Sequence, residues 1–394
     1  MNPKPPAYIF YVIIISQFCC TSVWFASNAI FANLQQEYQW TSDTLGSITS
    51  AIQLGFIAGT LVFAITGISD RFSPSVVYLG SSILAALANL LCLIHFSSFE
   101  LAITSRVFTG FFLAGVYPVG MKIASDWKKD GLGHWLGALV GALVLGTSFP
   151  HALKLVPGFV DPATLISTVS ILSVTGGLAM YMLVKDGPFH KPSLRFSFSD
   201  VRGVFKIENF RAPAFGYFGH MWELYAFWAF IPVALFYYQS QTQTEFSIPL
   251  WSFVTIAAGF LGCVIGGKLS LSYGSKTIAA IALVCSGLCC ILSPVIFLLP
   301  FYPFMAFLLF WGFMVVADSP QFSTLIAFHS PPQIRGSAIT ISTCIGFSVT
   351  IISIQLLNVL QNLISTQYLL LILGIGPALG LMWLFQFNIF KWKK

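Results

Sequence analysis

Charge is what this chain has least of. Only 8% of its 394 residues are Asp, Glu, Lys or Arg, whereas a soluble domain carries about a quarter, so there is too little charge to clothe a water-facing surface. No cysteine pair has C-x-x-C spacing, and all eight cysteines lie inside apolar runs. A disulfide framework and a zinc site are thereby excluded, and the thiols read as small packing residues. No phosphate-cradling G-x-x-x-x-G-K-S/T loop occurs, which removes ATP as the direct energy source. Neither an H-E-x-x-H pattern nor a nucleophile-base set is present, so the expectation is no enzyme, no cofactor and no metal. No Asn opens an N-x-S/T acceptor.

What is there is apolar. Hydrophobic residues make up 57% of the chain, 39 of them Phe. They gather into runs of about 20 residues, each able to cross roughly 30 Å of hydrocarbon as a helix. Twelve such spans fall near 8–33, 44–68, 74–96, 99–122, 132–153, 162–184, 211–238, 248–268, 276–298, 301–328, 336–360 and 366–388. The first follows one Lys without a small-residue cleavage site and reads as a retained span. Between spans 6 and 7 runs the polar stretch Lys185 to Arg211, with Lys191, Arg195, Lys206, Pro188 and Pro192. The expected organisation is 1–184, a six-helix bundle; 185–210, a linker; and 211–394, a second six-helix bundle. Within the linker, Ser199-Asp200 before Val201, Val204, Phe205 and Ile207 reads as a capped amphipathic helix, with Arg202 and Lys206 toward anionic headgroups.

The net charge of +6 marks topology rather than nucleic acid. With the N-terminus inside, Arg71, Lys122, Lys128, Lys268, Lys276, Arg335 and the linker cations all fall on the cytoplasmic side, where short loops retain positive charge. Both termini are therefore expected inside.

The halves echo each other. Thr66-Gly67-Ile68-Ser69-Asp70-Arg71-Phe72-Ser73 after span 2 corresponds in place to Gly267 through Lys276 after span 8, and Pro118 in span 4 to Pro320 in span 10. Such parallel halves are a recurring transporter plan. With six spans on each side of a cytoplasmic linker, the chain resembles the major facilitator superfamily of secondary transporters. Of that family's turn pattern G-x-x-x-D-R-x-G-R-K it keeps Asp70 and Arg71 and has Thr66, Ser73, Pro74 and Ser75 at the other marked places. The second copy keeps Gly267, Gly274 and Lys276 and has Leu271 and Ser272 for the acid-base pair. Arg106-Val107-Phe108-Thr109-Gly110 matches the family's span-4 pattern. Span 5 has Gly137, Gly141 and Gly146 and lacks the Gly-Pro pair of the antiporter pattern. The resemblance implies that spans 1, 4, 7 and 10 surround a central cavity and that a monomer forms the whole pathway.

Ionisable side chains within spans are expensive and mark function. Arg106, Glu223 and Asp318 lie on spans 4, 7 and 10. At about 1.5 Å per residue, Glu223 is roughly 18 Å from Arg211 and Asp318 about 16 Å from His329, both near mid-membrane. His220 and Glu223, three apart, share a helical face. Glu223, Asp318 and His220 are the proton-coupling candidates. Arg106 offers a planar donor fork to a carboxylate or phosphate, or else fastens helices. Gln17, Thr21, Trp24 and Asn28 form one stripe along span 1, joined as cavity candidates by Gln53, Gln321 and His151. Pro118, Pro232 and Pro320 are expected flexing points, and Asp70 with Arg71 a conformational latch.

The expected function is secondary active transport of a small polar or zwitterionic metabolite (amino acid, nucleoside or organic acid), by alternating access and proton-coupled symport, sodium being the other coupling ion. The alternatives are proton-coupled efflux of amphipathic organic cations or drugs, and a membrane receptor or scaffold that does not transport. Short loops and the absence of a targeting extension fit a bacterial cytoplasmic membrane.

Overall fold

A computed structural model describes residues 6–41, 43–94, 97–128, 132–159, 161–189, 203–331 and 334–389, apart from the side chains of Asp70, Leu132 and 386–389. Lys191, Pro192, Arg195, Ser199, Asp200, Val201 and Arg202, which carried most of the expected linker features, lie outside these residues. Among the described residues every regular element is a helix.

Eleven helical segments are long and apolar enough to cross a membrane: Ala7–Tyr38, Asp43–Thr66, Pro74–Ile94, Phe99–Trp127, Gly133–Leu153, Pro162–Leu183, Ile248–Tyr273, Ser275–Ile296, Phe301–His329, Arg335–Leu360 and Thr366–Phe385. These are spans 1–6 and 8–12. Span 7 is Glu208–Thr242, a 35-residue helix whose length suffices but whose His220, Glu223 and polar ends dilute its apolar character. Span edges sit within about five residues of those expected from hydropathy alone, an offset set by helices that continue beyond the apolar run. Ser98, Asp161 and Ser247 start spans 4, 6 and 8 by accepting the backbone N–H three residues on, which satisfies one of the donors a helix leaves open. At Asp161, in the loop outside the membrane, the Thr164 hydroxyl and N–H hold the carboxyl below its usual pKa.

The chain divides into two compact units, Met1–Phe196 and Ser197–Lys394. In the first, span 1 packs on spans 5 and 6, span 2 on span 4, and span 3 on spans 4 and 6. In the second, span 7 packs on spans 11 and 12, span 8 on span 10, and span 9 on spans 10 and 12. Adding six to each span number turns one pattern into the other. The tightest crossing repeats as well. A Cβ on Gly110 would strike the Ile52 carbonyl, and one on Gly55 the Val107 carbonyl; in the second unit Gly312 meets the Thr255 carbonyl and Gly262 the Phe313 carbonyl. Without a hydrophobic drive between helices, small residues that let backbones touch supply the packing.

Among the described residues spans 1, 4 and 10 are interrupted, and span 12 passes through a 3-10 stretch at Leu370–Gly374. Span 1 is Ala7–Thr21 and Ala26–Tyr38, span 4 is Phe99–Leu113 and Tyr117–Trp127, and span 10 is Phe301–Ala317 and Ser319–His329. Pro118 and Pro320 each occupy the second position of the helix after a break, where the missing N–H costs nothing. Pro232, by contrast, lies inside the unbroken helix of span 7.

At the loop end of the first unit, Lys122 donates to the Ser69 carbonyl at 2.7 Å and Ser73 to Asp186 Oδ1 at 2.8 Å. The Trp127 indole donates to the Lys185 carbonyl at 2.8 Å and the Phe189 N–H to the Asp126 carbonyl at 3.0 Å. The start of the linker is thus strapped to the start of span 3 and the end of span 4. In the second unit Val204 is buried and the Phe205 ring packs edge-on against Phe210, so the described end of the linker folds onto its own unit.

The glycine crossings predict a contrast. Gly110→Ala and Gly312→Ala should each lower stability by about 1–3 kcal/mol, because a backbone carbonyl has to move. Gly80→Ala, where nothing lies within 4 Å of the added carbon, should be neutral or stabilising by up to about 1 kcal/mol. Thermal unfolding in detergent measures both, and equal midpoints for the three variants would sink the argument.

Candidate functional site

The break in span 1 sets the chemistry of the first unit. Between Thr21 and Ala26 the helical ladder lapses, and carbonyls freed there have no water to turn to. Arg106 on span 4, 1% exposed, answers them. Its Nη2 donates to the Val23 carbonyl at 2.8 Å and the Trp24 carbonyl at 2.6 Å, and its Nη1 to Asn89 Oδ1 at 2.6 Å. Asn89 on span 3 in turn donates to Ser170 Oγ on span 6 at 2.9 Å. One guanidinium therefore links spans 1, 3 and 4, using the planar fork that makes Arg suited to this task. Its partners are all neutral oxygens. Of its nitrogens only Nε is left without an acceptor.

On the two sides of the break the side chains of span 1 meet different helices. Gln17, Thr21, Trp24 and Asn28 do not make one continuous stripe. Gln17 faces Gly120 of span 4, and Thr21 faces Gly146 of span 5. Beyond the break, Trp24 stacks obliquely on Phe56 with centroids 5.0 Å apart, and Asn28 donates to Thr49 Oγ1 at 2.8 Å. Gln53 lies between Thr49 and Phe56 on that same face of span 2, at successive offsets of four and three. Both side-chain atoms of Gln17, both of Gln53, and Oδ1 of Asn28 are buried without a hydrogen-bond partner. Orphaned amides of this kind cost about 1–3 kcal/mol each. They call for an explanation. At the end of span 5, His151 is buried with Nε2 likewise open, and Lys154 donates to the Ala29 carbonyl at 3.1 Å and Asn33 Oδ1 at 2.7 Å.

The second unit holds the two acids that lie deep within spans, Glu223 and Asp318. Asp318 sits at the break of span 10, and His220 Nδ1 lies 2.8 Å from its Oδ1, both side chains 1% exposed. The two atoms are in close contact without the alignment of a hydrogen bond. Gln321, buried in the first turn after the break, donates its backbone N–H to the Asp318 carbonyl at 3.0 Å. Glu223 has other neighbours: Trp311 Nε1 of span 10 at 2.7 Å, Ser286 Oγ of span 9 at 2.9 Å and Cys290 Sγ of span 9 at 3.3 Å. All three are neutral donors. His220 and Glu223 share a face of span 7, yet they do not pair with each other.

Arg106 in the first unit and Glu223 in the second are thus gripped by the same set of helices, spans 1, 3 and 4 and spans 7, 9 and 10. Sequence reasoning singled out the charges and missed most of their partners. Asn89 carries a legible signal, as an amide in the middle of an apolar run. Ser286 and Cys290, four apart, share a face of span 9, but small polar residues are too common in membrane helices to stand out. Trp311 gives no signal that separates it from the chain's other nine tryptophans.

A family model described as Major Facilitator Superfamily matches residues 13–354. No curated protein matches the chain.

Losing the clamp on the span 1 break should be costly. Arg106→Leu is expected to lower stability by about 3–5 kcal/mol, since it strips partners from buried oxygens. Arg106→Lys should recover part of this, as one ammonium cannot reach all three acceptors. An unchanged unfolding midpoint for Arg106→Leu would show that the break holds without it.

Proposed function

The chain belongs to the major facilitator superfamily, a family of secondary transporters, and from that membership we propose that it carries a small polar or zwitterionic metabolite by proton-coupled symport. The class is that of amino acids, nucleosides or organic acids, and the cycle is alternating access across a cytoplasmic membrane with both termini inside. The observation that carries the proposal is Glu223, a buried carboxyl met only by neutral donors. With no cation fixed beside it, such a group is free to hold charge or proton in turn. His220 and Asp318, in contact at 2.8 Å, are the second proton-exchanging element, because a histidine changes charge within the physiological range.

The solute class is supported by the first unit. Gln17, Gln53 and Asn28 hold unpaired amide atoms, and a polar solute supplies both the donors and the acceptors they lack. Trp24, against Phe56, adds an aromatic wall. Arg106 is proposed as a fastener rather than a solute contact, since its fork is already spent on Val23, Trp24 and Asn89. Gln321 serves beside Asp318. Pro118, Pro232 and Pro320 are the proposed flexing points, and Asp70 with Arg71 the proposed latch.

Efflux of amphipathic organic cations has less support. Such a cargo needs an open carboxylate, whereas Glu223 is ringed by donors and Asp318 is held by His220. The Trp311 indole, which can only donate, disfavours sodium at Glu223 Oε1, because a cation wants oxygen lone pairs and would meet an N–H.

The deciding experiment follows external pH in lightly buffered proteoliposomes while pooled polar metabolites are added, with Glu223→Gln as comparison. Solute-dependent proton uptake that falls at least tenfold in the variant is expected. If labelled solute accumulates without proton movement, Glu223 leaves the proton role. If solute binds but neither accumulates nor exchanges, the chain is a receptor and not a carrier.

A further inference from the structure

Glu223 has one neighbour equipped to serve it in both protonation states. The Trp311 indole at Oε1 can only donate, and the Cys290 thiol is weak in either direction, whereas a hydroxyl offers one donor and two lone pairs. That hydroxyl belongs to Ser286. Its oxygen lies 2.9 Å from Glu223 Oε2 and 3.3 Å from the Leu283 carbonyl of its own helix. Ser286 therefore has two acceptors in reach and one proton to give.

Resting on the reading of Glu223 as the proton-exchanging acid, we infer that Ser286 is a hydroxyl switch that keeps this carboxyl hydrogen-bonded whether it is ionised or protonated. In the ionised state the Ser286 O–H points at Oε2. When a proton binds there, the new Oε2–H donates to the Ser286 oxygen, and the Ser286 O–H turns to the Leu283 carbonyl. The one covalent change is the Oε2–H bond, and release of the proton runs the same steps backward. No heavy atom has to move. Trp311 stays on Oε1 throughout, which fixes the carboxyl plane while the proton comes and goes.

Among the described residues, no titratable group facing Glu223 serves as well. The titratable groups facing it are Cys289 and Cys290 from span 9 and Asp318 from span 10. The thiols accept weakly, and Asp318 is engaged by His220, one turn back on the helix of Glu223. In a water-free interior an acid O–H without an acceptor is strongly disfavoured. Without Ser286, each cycle of protonation would pass through such a state. Ser286 is accordingly a positioning residue, acting through Glu223.

The test is infrared difference spectroscopy on the full chain in lipid, with the proton itself as probe and pH as the variable. Wild type should show a protonated-carboxyl C=O band that Glu223→Gln removes. In Ser286→Ala that band should move to higher frequency, because the acid O–H has lost its acceptor, and Ser286→Thr should return it. Solute-driven proton uptake should fall about tenfold in Ser286→Ala, the effect of losing one hydrogen bond to a charged group, and by much less in Ser286→Thr. A band at the wild-type position in Ser286→Ala overturns the switch while leaving Glu223 its proton. If no band is removed by Glu223→Gln, both the switch and the proton role of Glu223 fall.

Discussion

A polar atom buried in a membrane has to find its partner in protein or in a bound solute, and that constraint governs this structure. It is most visible where Arg106 reaches from span 4 to the carbonyls that the span 1 break sets loose. A cation in hydrocarbon and two open carbonyls are each costly alone. Together they remove one another's penalty and bind three helices. Just beyond the contact, Trp24 and Asn28 are set against span 2.

The two units solve the same packing problem and then diverge in chemistry. Both cross their second and fourth helices on glycines, so that backbone meets backbone. Both hold an ionisable group, Arg106 or Glu223, among their first, third and fourth helices. In the first unit that charge is a cation bound to neutral oxygens, and unpaired amides surround the break. In the second it is a carboxyl bound to neutral donors, with an Asp–His contact at the break of span 10. The repeat supplies the scaffold. The differences supply a division between amide-lined and acid-lined interiors.

Much of this was legible in the chain. The membrane dictates helix length and apolar content, so the spans follow from hydropathy to within a few residues. The rarity of charge made Arg106, Glu223 and Asp318 conspicuous, and the breaks of spans 4 and 10 announce themselves through Pro118 and Pro320. The break of span 1 does not. Ser22 to Phe25 contain neither Pro nor Gly, and the interruption is stabilised by a residue more than eighty positions away. A polar stripe drawn on an unbroken helix was bound to be turned at that point.

The amino-acid sequence by itself determined the class, the spans, the repeat and the few ionisable groups, because solvent preference and helix period act on neighbouring residues. Only the tertiary structure decided the partners. His220 is three residues from Glu223 and yet meets Asp318, while Glu223 turns to Trp311, Ser286 and Cys290. Which buried donor meets which acceptor depends on how helices are rotated against one another. That rotation is set by the summed packing of glycine crossings and breaks, which no local stretch of sequence contains.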